Sequence, residues 1–118
     1  MQYYVRQLQY INTKLLEATD AILAQSKTPP IIVILADEGF EARPEDFGEA
    51  VVQDMRVKGL GAFLLPGRAK ARLPQNLNTV NTFRFLFNEY YGTHYPLLRN
   101  ASYPELDLPY EFEEMRVR

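Results

Sequence analysis

Five consecutive apolar residues, Ile31–Leu35, directly follow two prolines, and this stretch constrains the fold more than any other. The run contains no polar residue at alternate positions, so a strand built from it would be apolar on both faces. Pro29 and Pro30 end any preceding helix, because proline lacks the N–H group and restricts the residue before it. The pattern therefore predicts a short strand buried on both faces, as is typical of a parallel sheet.

A long amphipathic helix is predicted ahead of this strand. Between Gln2 and Gln25, apolar residues recur at alternating steps of four and three, which places them along one side of a helix. The residues of this stripe are Tyr4, Leu8, Ile11, Leu15, Ala18 and Ile22.

Further elements follow along the chain. We predict a short helix over residues 50–57, a second buried strand over residues 60–65 and another amphipathic helix from about residue 80 to 91. Asn78 or Thr79 is the expected N-cap of this last helix, and Gly92 its expected end. The alternation of helices and strands predicts an α/β fold in one domain over residues 1–118, with a small, mainly parallel sheet and covering helices. Two strands make an incomplete sheet, which indicates a fragment of a larger domain or an assembly.

Composition excludes several classes of function. The 118 residues include no cysteine, which rules out disulfides, thiolate catalysis and zinc–thiolate sites. A net charge of −2 and a pI near 5.4 give no general attraction to nucleic acid. No apolar run reaches the roughly 18 to 20 residues of a membrane span. We therefore expect no nucleic-acid partner and no direct membrane insertion by this chain.

Asp37, Glu38 and Gly39 follow the first strand and are the main candidate site. Ligands of open α/β sheets bind beyond the carboxyl ends of the parallel strands. Adjacent carboxylates supply the hard oxygen ligands that magnesium, calcium or manganese prefer. The alternative interpretation is that these acidic residues only form a solvated turn.

Three other charged features stand out in the sequence. His94 is the single histidine, and it lies in a loop just past the last helix. Arg84 lies among phenylalanines, where a partly buried, paired guanidinium is expected; a substrate contact is the alternative. Arg68, Lys70 and Arg72 form a basic cluster that could meet an anionic ligand, although a solvated loop is the simpler interpretation.

Three stretches, LLEATDAILAQSKTPPIIVILADEG, KGLGAFLLPG and NTVNTFRFLFNEYYGTHYPLL, followed by SY, carry a resemblance to a known family. In this order they resemble the C-terminal part of sulfatase-like membrane proteins of the alkaline phosphatase superfamily. The likeness runs from about Tyr10 to Tyr103, and its most specific residues are Val80–Arg84, Asn88, Gly92 and Pro96–Leu98. In that family the strand after the prolines usually ends in Asp-His-Gly, whose Asp and His bind a catalytic divalent metal. Asp37 and Gly39 match this motif, whereas Glu38 stands at the His position.

The resemblance implies a metal-dependent hydrolase or transferase acting on sulfate or phosphate esters, with the metal as Lewis acid. The nucleophile and the remaining acidic metal ligands of that family have no counterpart here, so no catalytic residue is assigned. We expect the chain to be inactive alone and to bind no divalent ion tightly. The intact parent would be membrane-anchored, and this chain would be a soluble piece of it. Two alternatives remain: a catalytically dead module that serves binding or assembly, including self-association, and an unrelated small α/β binding domain.

Overall fold

The structure, a computed structural model, describes residues 2–103. Within that range, helices account for most of the ordered backbone, and the only sheet has two strands. The elements in chain order are α1 (Gln2–Gln25), β1 (Ile32–Leu35), α2 (Pro44–Phe47), α3 (Glu49–Val57), β2 (Gly61–Leu64), α4 (Ala69–Arg72) and α5 (Thr79–Tyr90).

The two strands pair antiparallel, so the prediction of a small, mainly parallel sheet is wrong. Ile32 is opposite Leu64, and Leu35 is opposite Gly61. The end of β1 therefore lies beside the start of β2. The expected carboxyl edge, where several parallel strands would end together, is not formed by these two strands.

Hydrogen bonds at the base of the β1–β2 connection continue the antiparallel pairing beyond the strands. The Ala36 N–H donates to the Leu60 carbonyl oxygen at 2.8 Å, and the Gly39 N–H donates to the Arg56 carbonyl oxygen at 2.7 Å. The segment that contains α2 and α3 thus leaves and returns at the same end of the sheet. A parallel pair would require this segment to cross the sheet and return at the opposite end.

The prediction that both strands are buried on both faces is also wrong. All four residues of β1 are only half-buried, and in β2 Phe63 is half-buried while the other three are exposed. An antiparallel sheet can leave one of its faces in contact with solvent. The apolar runs of β1 and β2 therefore did not by themselves require burial on both faces of the sheet.

Helix α1 has the predicted bounds, yet it does not cover the sheet. None of its residues is buried, and only Leu15 and Thr19 are half-buried. One aromatic contact attaches its first turn to the loop after β1, where the Tyr4 and Phe40 ring centroids lie 4.6 Å apart. The expectation that α1 packs on the sheet is therefore wrong for the described part of the chain.

The hydrophobic core of the described residues lies between the end of β2, α4 and α5. Its buried members are Leu65, Ala69, Phe85 and Leu86. Val33 and Phe63 of the sheet pack against this cluster, as does Tyr90 at the end of α5. The core is small, and it leaves both α1 and one side of α5 uncovered.

The predicted start and end of α5 are confirmed. The Asn78 side chain accepts a hydrogen bond from the Asn81 N–H at 2.9 Å, as an N-cap does. Gly92 has a φ of 67°, a left-handed conformation that glycine adopts without strain. The chain consequently reverses direction just after α5.

Candidate functional site

Asp37 and Glu38 form an exposed turn directly after β1. The Glu38 N–H donates to Asp37 Oδ1 at 3.0 Å, so the aspartate carboxylate satisfies the backbone of its own turn. This local bond is the behaviour expected of an acidic turn residue. Among residues 2–103, no three His, Cys, Asp or Glu side chains come together as a group able to hold a metal ion.

Close packing against the backbone of α3 explains why residue 39 is glycine. A Cβ at this position would lie 1.8 Å from the Met55 carbonyl oxygen and 2.9 Å from that of Lys58. Only glycine lets the loop after β1 approach the end of α3 this closely, which the Gly39–Arg56 hydrogen bond requires. The glycine of the ADEG stretch is thus explained by backbone contact.

The remaining candidate residues do not join Asp37 and Glu38. Within the described range, no hydrogen bond or ion pair links that turn to Arg84 or His94. His94 is exposed in the segment after α5. Arg72 of the basic cluster contacts Glu89 on α5 at 3.2 Å, which ties α4 to α5. The structure therefore does not assemble the predicted residues into one site.

Helix α5 carries a polar stripe, formed by Asn81, Arg84 and Asn88, which bonds the chain that follows the helix. These residues are spaced at i, i+3 and i+7, so they lie on one face of the helix. Each bonds the backbone of the segment over residues 93–100, which runs back along α5 after Gly92. We call these three side chains and their backbone partners the α5 clamp.

The two asparagines bond the backbone as another peptide group would. Asn81 Nδ2 donates to the Leu98 carbonyl oxygen at 2.8 Å, and Asn81 Oδ1 accepts the Leu98 N–H at 2.8 Å. Asn88 makes the same pair of bonds to Tyr95, at 2.8 Å and 2.7 Å. An asparagine amide has one carbonyl and one NH₂ group, so it can satisfy both backbone groups of a residue at once.

Arg84 completes the clamp between the asparagines. Its Nη1 donates to the Pro96 carbonyl oxygen at 3.2 Å, and its guanidinium carbon lies 6.0 Å from the centre of the Tyr95 ring. Arg84 is half-buried, as expected, and its hydrogen bond goes to a backbone carbonyl oxygen and not to a carboxylate. The alternative role, a substrate contact, is not tested by this geometry.

The spacing of the clamp follows from the rise per residue of the two backbones. Seven helical residues from Asn81 to Asn88 advance about 10.5 Å, at about 1.5 Å each. Three residues of fully extended chain, the separation of Tyr95 and Leu98, would advance about 10 Å, at about 3.4 Å each. The two lengths agree, so the two asparagines meet the backbone of the returning segment two helical turns apart.

One further hydrogen bond ties α5 to the chain after β2. The Tyr90 hydroxyl donates to the Pro66 carbonyl oxygen at 2.8 Å. Burial, and then the nearby Glu89 carboxylate, raise the pKa of Tyr90 above its usual value. Both causes favour the neutral phenol, which is the form that donates this bond.

Sequence reasoning missed the clamp, although it had singled out the residues that form it. In the sequence, Asn81 and Asn88 stand out only through the family resemblance, and Arg84 stands out through the resemblance and through its position among phenylalanines. The signal was present: polar residues at helical spacing on an otherwise apolar helix, followed by a glycine at which the chain can reverse.

Two large apolar surfaces remain exposed in the described structure. On α5 and at its C-cap, Phe83, Phe87 and Tyr91 follow one another at four-residue steps, and Tyr91 is 71% exposed. The Phe87 ring lies 5.9 Å from Tyr91 and 6.4 Å from Tyr95, so the rings form a continuous surface. The second surface is the apolar stripe of α1. Exposed apolar areas of this extent commonly mark interaction sites.

Comparisons with protein-family models, with curated proteins and with solved structures find no match to this chain. The resemblance to sulfatase-like proteins stays a prediction on that account. None of the helices in residues 2–103 combines the length and the apolar character needed to cross a membrane.

Proposed function

We propose that this chain serves binding or assembly, and that it acts through the apolar faces of its helices and not through a complete catalytic site of its own. The observation that carries the proposal is the exposure of α1. This helix is 24 residues long and has no buried residue, although one of its sides is apolar. Tyr4, Leu8 and Ile11 are 39%, 40% and 50% exposed.

Packing of its apolar face is what keeps a helix such as α1 folded. Most helical stability in proteins comes from packing of the apolar face, since isolated helices are marginal in water. Helix α1 has little packing within the described chain, so a partner that covers its stripe would stabilise the helix. Binding and helix formation would then be coupled, and the partner would raise the helical content of residues 2–25.

The test combines light scattering with the fluorescence of a dye that binds exposed apolar surface, such as 8-anilinonaphthalene-1-sulfonate. We expect either an oligomer or clear dye binding. Ile11→Gln should reduce whichever signal is found, because Ile11 lies within the stripe. Tyr10→Gln is the matched control, because Tyr10 is adjacent but lies outside the stripe and is 64% exposed. A monodisperse monomer without dye binding would contradict the proposal.

A second candidate is a part of a metal-dependent hydrolase or transferase that acts on sulfate or phosphate esters. Two observations favour it: Asp37, Glu38 and Gly39 directly follow a strand, and the residues most specific to the resemblance include the three side chains of the α5 clamp. In that case the clamp would be a structural element of the parent domain. The further ligands, the nucleophile and any membrane anchor would come from other parts of the parent protein.

Calorimetric titration with magnesium, manganese, calcium and zinc tests this second candidate. We expect no tight binding to this chain, because two neighbouring carboxylates give only a few of the six or more oxygen ligands that such cations prefer. Micromolar binding that disappears in Asp37→Ala would favour the hydrolase candidate. Glu45→Ala on α2 is a suitable control, since it removes one exposed carboxylate elsewhere.

A further inference from the structure

The outer edge of β2 carries backbone groups that have no hydrogen-bond partner within residues 2–103. The register of the sheet and the bond from the Ala36 N–H to the Leu60 carbonyl oxygen show which positions bond across the sheet. In an antiparallel pair these positions alternate, so the even-numbered residues of β2 bond to β1. Gly61 and Phe63 direct their N–H and carbonyl groups away from β1, to the open side.

This edge is the more exposed of the two edges of the sheet. All four residues of β1 are half-buried, whereas three of the four residues of β2 are exposed. The atoms nearest to a Cβ built on Gly61 belong to the side chains of Phe63 and Leu35, which lie within the sheet itself. An open edge of this kind is a template for a further strand, and proteins commonly cover it.

Residues 104–118 follow the described part of the chain, and we call them the tail. Their sequence alternates as expected for a strand with one apolar side. The apolar residues are Leu106, Leu108, Tyr110 and Phe112, and the residues between them are Asp107, Pro109 and Glu111. Within sheets, proline is confined to edge strands, to strand starts and to bulges, because it cannot donate to the ladder. The pattern therefore fits a strand at the edge of a sheet.

We propose that residues 106–112 pair antiparallel with the outer edge of β2 and form a third strand of the sheet. Directly opposite residues of an antiparallel pair have their side chains on the same face. Even-numbered tail residues opposite Gly61 and Phe63 would place the apolar side of the tail on the face where Phe63 packs against the core. The same register turns the backbone of Pro109 to the outside, where no N–H is needed.

A parallel arrangement cannot satisfy both conditions. In a parallel pair, the residue opposite Phe63 directs its backbone groups away from β2, and its two neighbours make the hydrogen bonds. With the apolar side of the tail facing the core, Pro109 would have to donate to β2, and it has no N–H. With the tail turned over, Asp107 and Glu111 would face the core, where an unpaired carboxylate is costly.

The α5 clamp brings the start of the tail close to the sheet. Leu98 is bonded to Asn81, which lies one helical turn before Phe85. Phe85 belongs to the core cluster together with Leu65, the residue directly after β2. The eight residues from Leu98 to Leu106 span up to about 27 Å when extended, well over the roughly 10 to 12 Å diameter of a helix. The tail is therefore long enough to reach the edge of β2.

Hydrogen exchange of the backbone amides, followed by NMR on the full chain, tests the pairing residue by residue. We expect the Gly61 and Phe63 amides to exchange about tenfold or more slowly than in an unstructured peptide. In the tail, the even-numbered amides of Leu108 and Tyr110 should be protected, whereas the amide of Glu111 should not, because it faces solvent.

Two double variants identify the tail as the source of this protection. Tyr110→Ser/Phe112→Ser removes part of the apolar side of the tail and should abolish the protection of the outer amides of β2. Glu111→Ser/Glu113→Ser is the matched control, because it changes the opposite side of the tail, and it should retain the protection. The Ala62 amide, which bonds to β1, should stay protected in both variants and shows that the sheet itself is intact.

Each other outcome overturns a definite part of the proposal. Fast exchange at Gly61 and Phe63 in the wild type would overturn the third strand. Protection that survives in Tyr110→Ser/Phe112→Ser would show that the tail does not supply the strand. Protection of Glu111 in place of Tyr110 would overturn the antiparallel register. Protection that weakens on dilution would assign the strand to a second copy and overturn pairing within one chain.

Discussion

Replacing Asn81 by aspartate should turn one end of the α5 clamp into a pH-dependent contact. Asn81 is only 3% exposed, and its amide makes two hydrogen bonds to Leu98. Aspartate has nearly the same shape, but an ionised carboxylate has no donor. One of its oxygens could still accept the Leu98 N–H. The other would face the Leu98 carbonyl oxygen at a distance set for a hydrogen bond, and the two acceptors would repel each other.

The magnitude follows from the bonds that are lost. Each hydrogen bond contributes about 0.5 to 1.5 kcal/mol to the free energy of unfolding, so Asn81→Ala, which removes both, should cost about 1 to 3 kcal/mol. Asn81→Asp should cost at least as much at pH 7, because an unsatisfied buried group is more costly when it is charged.

The pH dependence has a definite sign. Burial and the facing carbonyl oxygen favour the protonated carboxyl, which can donate to Leu98 as the amide did, so the pKa of the introduced carboxyl should be raised in the folded state. The folded variant then binds more protons than the unfolded variant. Its stability relative to the wild type should therefore rise as the pH is lowered from 7 toward 4, and fall again as the pH is raised.

Urea unfolding followed by circular dichroism at pH 7 and pH 4 measures this difference, with the wild type measured at each pH. Hydrogen exchange of the Leu98 amide gives a local measurement that does not depend on unfolding of the whole chain. Gln75→Glu is the control, since it makes the same amide-to-carboxylate change at an exposed position. Equal stability of Asn81→Asp and wild type at pH 7, or a loss that does not change with pH, would refute the reasoning.

Three further outcomes are expected. Gly39→Ala should destabilise the chain by about 1 to 3 kcal/mol or more in urea unfolding, because its Cβ would lie 1.8 Å from the Met55 carbonyl oxygen; an unchanged midpoint would contradict this close approach. Tyr90→Phe should cost about 1 kcal/mol at neutral pH through loss of the bond to Pro66. This difference in free energy of unfolding from wild type should narrow above about pH 10, since the pKa of Tyr90 is raised in the folded state and the phenol therefore ionises first in the unfolded state. A difference that stays constant with pH would contradict this coupling between Tyr90 ionisation and stability. Arg84→Ala should cost less than Asn81→Ala, about 1 kcal/mol or below, because Arg84 is partly exposed and makes one backbone bond.

Local pattern determined where α1, α3, α5 and the two strands of this chain lie. Steps of three and four among apolar residues were sufficient for α1 and α5, and the prolines and Gly92 marked ends that agree with the structure. The strands also lie where Ile31–Leu35 and the stretch after Gly59 predicted them. These features depend on backbone propensity and on residues close in sequence, which is why a single sequence contains them.

Tertiary contacts decided how these elements combine, and there the sequence alone was insufficient. The direction of strand pairing is a long-range property, and the bonds that accompany it at the base of the connection join Ala36 and Gly39 to residues about 20 positions away. The apolar character of β1 fits a buried parallel strand and a half-buried antiparallel strand equally well, so pattern could not separate them. The predicted metal site assumed the parallel arrangement.

For the side chains of the α5 clamp, too, the sequence determined one part and the tertiary structure the other. The type and spacing of Asn81, Arg84 and Asn88 could have indicated one polar helix face. Only the return of the chain after Gly92 shows what this face bonds, because its partners are backbone groups of Tyr95, Pro96 and Leu98, which the side-chain pattern of the sequence does not mark. Sequence alone therefore determined the stripe on α5, and tertiary structure determined that it holds the chain that follows it.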